Sequence, residues 1–252
     1  MSNYQAPSNL LQDRTILVTG AGEGIGRAAA LAYARAGAQL ILLGKRVNLL
    51  ENVYDEIEQA GGPTPAIYPL DLEGANADHY SELAQRIESE LGRLDGILHN
   101  AAELGVLAPL EHYQPALWGK VMMINLNGPA LLTQACLPLL KKGPDSRLIF
   151  TTDKMGPKGH AYWGAYGVSK AAIENLAQML AEELENYPVR VNLINPGPVR
   201  TKLRRKAYPG EEAEQHPTPD QVMPLYLYLM GPDSRDVHGQ RLNAQEWMGN
   251  TR

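Results

Sequence analysis

Residues 15–32 read TILVTGAGEGIGRAAALA. Five apolar or β-branched residues run directly into a glycine-rich turn, and an alanine-rich stretch with helical character follows. Gly20, Gly24 and Gly26 are spaced G-x3-G-x-G, with Ile25 where a G-x-G-x-x-G loop carries a different register. Glycines let a backbone turn sharply and approach a pyrophosphate, and the helix that follows offers its first N–H groups to the anion. A glycine-rich turn can also join a strand to a helix with no ligand at all. Its place after the first strand of an α/β pattern favours nucleotide binding.

The pattern continues outward from this loop. Strands are expected at 15–19, 39–43, 66–70, 94–99, 147–152 and 189–194, and a short final one within GQRLNAQEWMGNTR, followed by a tail. Between them lie amphipathic stretches: GRAAALAYARAG, LLENVYDEIEQAG, YSELAQRIESELG and AAIENLAQMLAEELENY. Strands alternating with helices at this spacing give βαβ units, a mostly parallel sheet and helices on both faces. The crossovers should be right-handed. With no repeat, linker or composition break in 252 residues, one doubly wound α/β domain is expected over the whole chain, its core at about 9–245.

Composition narrows the classes. Apolar residues make up 44%, too many for a disordered chain, and the formal net charge of −5 argues against a general nucleic-acid binder. No apolar run approaches the roughly 20 residues that span a bilayer. The start, MSNYQAPSNLLQDRT, reads as no signal peptide. The single cysteine, Cys136, excludes an internal disulfide and suits a reducing compartment. A cytoplasmic protein is expected, with neither a nucleic acid nor a membrane as partner. The histidines show no metal-ligand spacing, so no metal is expected. His99 is read as a packed imidazole at a strand end, and Cys136 as a buried helix residue.

The end of the second strand meets the ribose of a bound dinucleotide. Here it reads LLGKRVN, with Lys45 and Arg46 and no acid. Two cations suit a 2′-phosphate, so NADP(H) is expected over NAD(H). Glu23 in the glycine loop argues the other way, and Lys45 and Arg46 can also simply cap a solvated helix start.

TGAGEGIG, the DL of 71–72, HNAA at 99–102, INLNG around Asn125, YGVSK at 166–170 and NPGPVRT at 195–201 occur in that order. Together they resemble the short-chain dehydrogenase/reductase family across nearly the whole chain, and AYWGAYGVSK and MPLYLYLMG resemble its bacterial YciK-type oxidoreductases. The resemblance implies a Rossmann-type domain with a seven-stranded sheet and hydride transfer between NADP(H) and a small-molecule carbonyl/alcohol pair. It places Gly20, Glu23, Gly24, Ile25 and Gly26 along the pyrophosphate, and Asp71 and Leu72 by the adenine. Asn100 stands in a motif that here departs to His-Asn-Ala-Ala. Pro196, Gly197, Val199 and Thr201 close the nicotinamide end. Asn125 would support a relay water, Tyr166 would be the acid/base and Lys170 its activator. A homodimer or homotetramer, formed through the long helices after Asn125 and around Tyr166, is implied in the same way.

The Tyr/Lys pair has a physical logic of its own. Residues i and i+4 share a helix face. A phenol ionises near 10, and an adjacent ammonium lowers that value. Bringing it to about 7 needs roughly 4 kcal/mol, more than one lysine readily supplies. A tyrosine so tuned exchanges a proton with a reacting oxygen as hydride moves.

Asp153 disturbs this picture. The family carries a Ser thirteen residues before the Tyr, donating a hydrogen bond to the substrate oxygen, whereas an ionised Asp only accepts. Loss of such a donor costs about 10²–10³ in rate, and a negative charge about 5 Å from a developing alkoxide costs about 3 kcal/mol at an effective dielectric near 20. Asp153 would also raise the pKa of Tyr166, working against Lys170. Four readings stay open. Asp153 is protonated by burial. It turns away to pair with Lys154 or Lys158. It selects a substrate that offers donors, such as an amine. Or it merely accepts backbone N–H groups in the turn after the fifth strand. The first three leave an enzyme, whereas a charged block leaves a cofactor-binding sensor or assembly partner with weak or no turnover. Strand alternation makes neither Thr151 nor Thr152 an obvious stand-in. Finally, RTKLRRK at 200–206 is read either as a solvated helix or as a cationic entrance for anionic substrates.

Overall fold

A computed structural model describes residues 4–249. All seven expected strands form: β1 (Thr15–Thr19), β2 (Gln39–Gly44), β3 (Ala66–Pro69), β4 (Gly96–His99), β5 (Ser146–Thr151), β6 (Val189–Asn195) and β7 (Gln240–Asn243). They make one sheet in the order β3-β2-β1-β4-β5-β6-β7, and every pairing is parallel. The sheet is thus wholly rather than mostly parallel. β4 begins two residues later than expected, although Asp95 still donates its N–H to Thr15 O (2.8 Å) and its carbonyl accepts from Arg147 N–H (2.9 Å), its side chain also accepting from Thr15 N–H (2.8 Å) and from Arg93.

Strand alternation builds two cores. Ile16, Val18, Leu40 and Leu42 point to one face, under α1 (Gly24–Arg35) and α2 (Val47–Gln59). Leu17, Ile41 and Leu43 point to the other, with Tyr80 and Leu83 of α3 (Ala77–Arg86). Both faces are dry, which is why these strands read as continuous apolar runs.

Between β4 and β5 the chain makes α4 (Pro115–Met122), one π-helical turn at Met123–Asn127, and α5 (Gly128–Lys142). The wide turn puts Asn125 inward, as single π turns near functional sites do. α6 (Gly164–Glu183) starts well before the amphipathic run foresaw, so Tyr166 and Lys170 sit in its opening turns. α5 and α6 join the Leu17 face, while α8 (Met223–Met230) joins the Ile16 face. α7 (Lys202–Ala207) lies over the C-terminal edge of the sheet, and a short α9 (Ala244–Trp247) follows β7 where only a tail was expected. Residues 250–252, the end of that tail, fall outside the described part.

Cys136 is fully buried, its thiol pushed up to about 12 by burial. His99 stacks on Phe150 (4.7 Å) and bonds Thr133 Oγ1 (2.9 Å), and burial takes its imidazole down to about 3. Both are packing residues, as the sequence suggests. No described helix is long and apolar enough to cross a membrane.

Candidate active site

The strand order reverses between β1 and β4, so their C-terminal ends open a crevice. The glycine loop leaves β1 there, Asn100 follows β4, Thr151 to Asp153 leave β5, and the 195–201 loop leaves β6. These segments line one cleft of about 540 Å³.

At one end lies the glycine cradle. Gly20 and Gly24 have φ of +66° and +56°, a region side chains disfavour. A Cβ on Gly26 would sit 2.2 Å from Gly20 O and 2.7 Å from Asn100 Nδ2. Gly26 therefore stands behind the loop as a packing contact, and Asn100 braces it. Glu23 at the N-cap of α1 makes no side-chain cap, so the first-turn N–H groups stay available to an anion. The cradle thus fits a dinucleotide pyrophosphate.

The cations at the ribose end are already engaged. Arg46 pairs with Glu23, Lys202 of α7 reaches the same carboxylate at 3.0 Å, and Lys45 lies 3.8 Å from Asp71. These pairs are half-exposed, so each holds weakly. Lys202 was not singled out for this position, although it belongs to the RTKLRRK run. The rest of that run is also tied down. Arg200 donates to His216 O (3.1 Å), Arg204 grips Glu211 at 2.7 and 2.5 Å, and Lys206 reaches Glu103 at 3.3 Å. Four of the five cations (Arg200, Lys202, Arg204, Lys206) have partners, but Arg200, Lys202 and Lys206 stay exposed, so α7 is a solvated helix as read from the sequence, and Arg200, Lys202, Arg204 and Arg205 also line the cleft.

Asp71 accepts from Glu73 N–H (3.1 Å), and Leu72 is buried beside it. Ile25, Pro196, Gly197, Val199 and Thr201 all line the cleft. Thr201 caps α7 by accepting from Arg204 N–H (3.1 Å), and its methyl faces Gly24. Gln245 of α9, which nothing in the sequence marked, donates to Pro196 O (3.2 Å) and Pro198 O (2.8 Å). Gly197 at φ +71° leaves the room it needs.

At the other end stand Tyr166, Lys170 and Asp153. Tyr166 and Lys170 share a face of α6, as their spacing requires, but the ammonium does not meet the phenol oxygen. Lys170 Nζ donates to Thr151 O at 2.9 Å. Tyr166 Oη instead donates to Asp153 Oδ2 at 3.1 Å. Burial, then the Asp153 charge, hold the phenol well above its usual range. The expected lowering of Tyr166 by Lys170 is therefore reversed: the nearest charge to the hydroxyl is negative. Lys170 is itself pulled down to about 8, chiefly by burial.

Asp153 faces Tyr166 rather than Lys154 or Lys158, which removes one of the four readings. Its Oδ1 also accepts from Met155 N–H at 3.2 Å, the backbone role foreseen for it. Thr152 turns to the other side and donates to the buried Glu174 (2.6 Å), while Thr151 Oγ1 reaches only Asn100 at 3.5 Å. Neither hydroxyl replaces a Ser.

Asn125 lies behind the cleft wall. Its Oδ1 accepts from Glu103 N–H (2.8 Å), and its Nδ2 donates to Glu103 O (3.0 Å) and Ser169 Oγ (3.0 Å). Its amide is committed to fixing the Glu103 segment against α6. Trp163 and Tyr208 roof the reacting end, the Trp163 ring lying 5.6 Å from that of Tyr166 and 5.8 Å from that of Tyr208, centroid to centroid. Trp163 sits three residues before Tyr166, so helical spacing alone could have flagged it.

A family model described as short chain dehydrogenase matches residues 14–212. The chain belongs to the short chain dehydrogenase family. Members of this family that it resembles include the oxidoreductase YciK of Escherichia coli K12, 46% identical over 96% of each chain. A short chain dehydrogenase structure from Pseudomonas syringae shares 52% identity with a TM-score of 0.94, covering 96% of this chain and 99% of that one. A third, from Shigella flexneri and solved in complex with NADP, shares 47% identity with a TM-score of 0.93 over 95% and 100% of the two chains. The YciK likeness of the sequence is borne out. As a short chain dehydrogenase the chain is an oxidoreductase with the family's Rossmann-like domain.

Proposed function

We propose that this protein binds NADP(H) in preference to NAD(H) and transfers a hydride between it and a polarised double bond of a small molecule, the carbonyl/alcohol pair being the general form. The observation that carries this is one cleft holding both the glycine cradle and the Tyr166/Lys170 pair. The NADP complex of the Shigella flexneri relative supports the cofactor. When bound, the nicotinamide supplies or takes the hydride. Gly20, Glu23, Gly24 and Ile25 would flank the pyrophosphate, with Gly26 and Asn100 holding that loop in shape. Lys45 and Arg46 would meet the 2′-phosphate, Asp71 and Leu72 the adenine. Pro196, Gly197, Val199 and Thr201 would meet the nicotinamide end. Tyr166 holds a proton at its Oη, Lys170 positions the nicotinamide side, and Asn125 fixes the wall behind them. The protein works in the cytoplasm as a homodimer or homotetramer built through α5 and α6.

A second reading is favoured by the Tyr166–Asp153 bond: a cofactor binder with little turnover. The two separate on NADPH oxidation against a carbonyl panel, for the native protein and Asp153→Ser side by side, with NADPH binding followed by its fluorescence. Turnover by the native protein supports the enzyme. Binding without turnover, with activity gained in the Ser variant, supports the binder.

A further inference from the structure

The reacting end of the cleft offers a substrate an acceptor where a donor is expected. Asp153 spends one oxygen on Tyr166 and the other on Met155 N–H. A carboxylate has roughly four acceptor sites, so both oxygens retain capacity toward the cleft they line. The Tyr166 proton points at Asp153. The Lys170 ammonium points at Thr151 O. The aromatic rings of Trp163 and Tyr166 complete the wall.

Such a wall opposes a carbonyl/alcohol pair in both directions. Reduction of a ketone and oxidation of its alcohol share one transition state, in which negative charge grows on oxygen. That charge would face the carboxylate. A carbon–nitrogen pair has the opposite electrostatics. A protonated imine carries its N–H into the site as a donor and brings a positive charge.

We propose that the substrate class of this site is an imine/amine pair, the Asp153 carboxylate receiving the substrate N–H. This rests on the hydride-transfer reading above. In the reducing direction the nitrogen takes its proton from solution before reaction. The carbon then receives hydride, two electrons, from reduced nicotinamide, and a C–H bond forms. The C=N π bond breaks, and its electron pair settles on nitrogen. The iminium becomes a neutral amine and the nicotinamide is oxidised. No alkoxide arises, and Tyr166 keeps its proton while orienting Asp153. Amine oxidation runs the same steps backwards.

The test uses dihydroisoquinoline and α-tetralone as C=N and C=O probes of matched shape, with NADPH, for native protein, Asp153→Ser and the near-isosteric Asp153→Asn. The expected native kcat/KM favours the imine by about 10² or more, and both variants lose about tenfold or more of that preference, the scale of one misplaced charge or donor. A native preference for the ketone overturns the imine assignment and leaves the hydride-transfer reading standing. If the native protein binds NADPH but turns over neither probe, the hydride-transfer reading is judged on the carbonyl panel above. The imine assignment is then decided by calorimetric binding of tetrahydroisoquinoline, protonated at neutral pH. Binding at least about tenfold tighter to the native protein than to either variant upholds it, and equal binding overturns it.

Discussion

Tyr166 Oη donates to Asp153 Oδ2 across 3.1 Å, joining the start of α6 to the turn after β5. Thirteen residues of sequence separate the two groups, and the turn brings them back together. Charge and burial both favour the protonated phenol there, so Tyr166 is a held proton rather than a poised phenolate.

The first prediction follows directly. With tyrosine labelled at ring Cζ and the Tyr166 resonance assigned through Tyr166→Phe, the native signal should stay at the neutral phenol position beyond pH 10. In Asp153→Ser it should begin to titrate at lower pH, because a raising charge has gone. An unchanged midpoint would mean that burial alone sets the phenol.

Lys170 carries a stability signature. Its folded pKa is about 8 against an ordinary 10.5. Between those values the unfolded chain binds more protons than the folded one. Stability should therefore rise with pH across that window, and the contribution is lost as pH falls through about 8. The shift corresponds to on the order of 3 kcal/mol. Lys170→Met should erase this slope in denaturant titrations and keep stability at pH 7 no lower than native, while turnover falls at least about 10²-fold, the scale of a lost electrostatic group. A preserved slope would assign it to other groups.

Glu174 sits eight residues beyond Tyr166 on α6, buried, accepting from Thr152 Oγ1 and from Arg241 Nε of β7 at 2.8 Å. Arg241 also donates to Asp153 O at 3.2 Å. The pair anchors the turn that aims Asp153. Arg241→Met should cost about 1–2 kcal/mol, discounted from a fully buried pair because the arginine is partly exposed. It should lower kcat more than it changes KM, since the turn loosens without touching the cofactor cradle.

Glu23 pairs with Arg46 and Lys202, and in the proposed NADP(H) complex it would compete with the 2′-phosphate for them. Glu23→Gln should free both cations and tighten NADPH by about three- to tenfold, on the scale of half-exposed pairs, with little change for NADH. The gain should shrink at high salt. Equal effects on the two cofactors would mean that the cations do not read the phosphate.

Gly26→Ala tests the cradle. A Cβ there has no room between Gly20 O and Asn100 Nδ2, so the loop must shift. The expected cost is about 1–3 kcal/mol of overpacking, with NADPH affinity down about tenfold or more. A well-folded variant with native affinity would show that the loop has slack.

The sequence by itself determined the architecture. Apolar runs as short as TILVT and QLILL, bounded by turns and alternating with amphipathic stretches, read as strands buried on both faces, and the glycine loop after the first of them places the cleft. It also put Tyr166 and Lys170 on one helix face, since i and i+4 are neighbours in any helix. The seven strands and the cradle were legible because their signals are local: periodicity, and glycine where a side chain has no room. Tertiary structure alone decided what each polar group faces. Lys170 had a backbone carbonyl within reach and took it, leaving Asp153 to set the charge at the phenol. Asn125 spent its amide on Glu103, and the cations of 200–206 found acids as distant in sequence as Glu23 and Glu103. Gln245 gripped a loop nearly fifty residues away. Hydrogen bonds and ion pairs depend on distances of a few ångströms between remote segments, and no spacing along the chain encodes those.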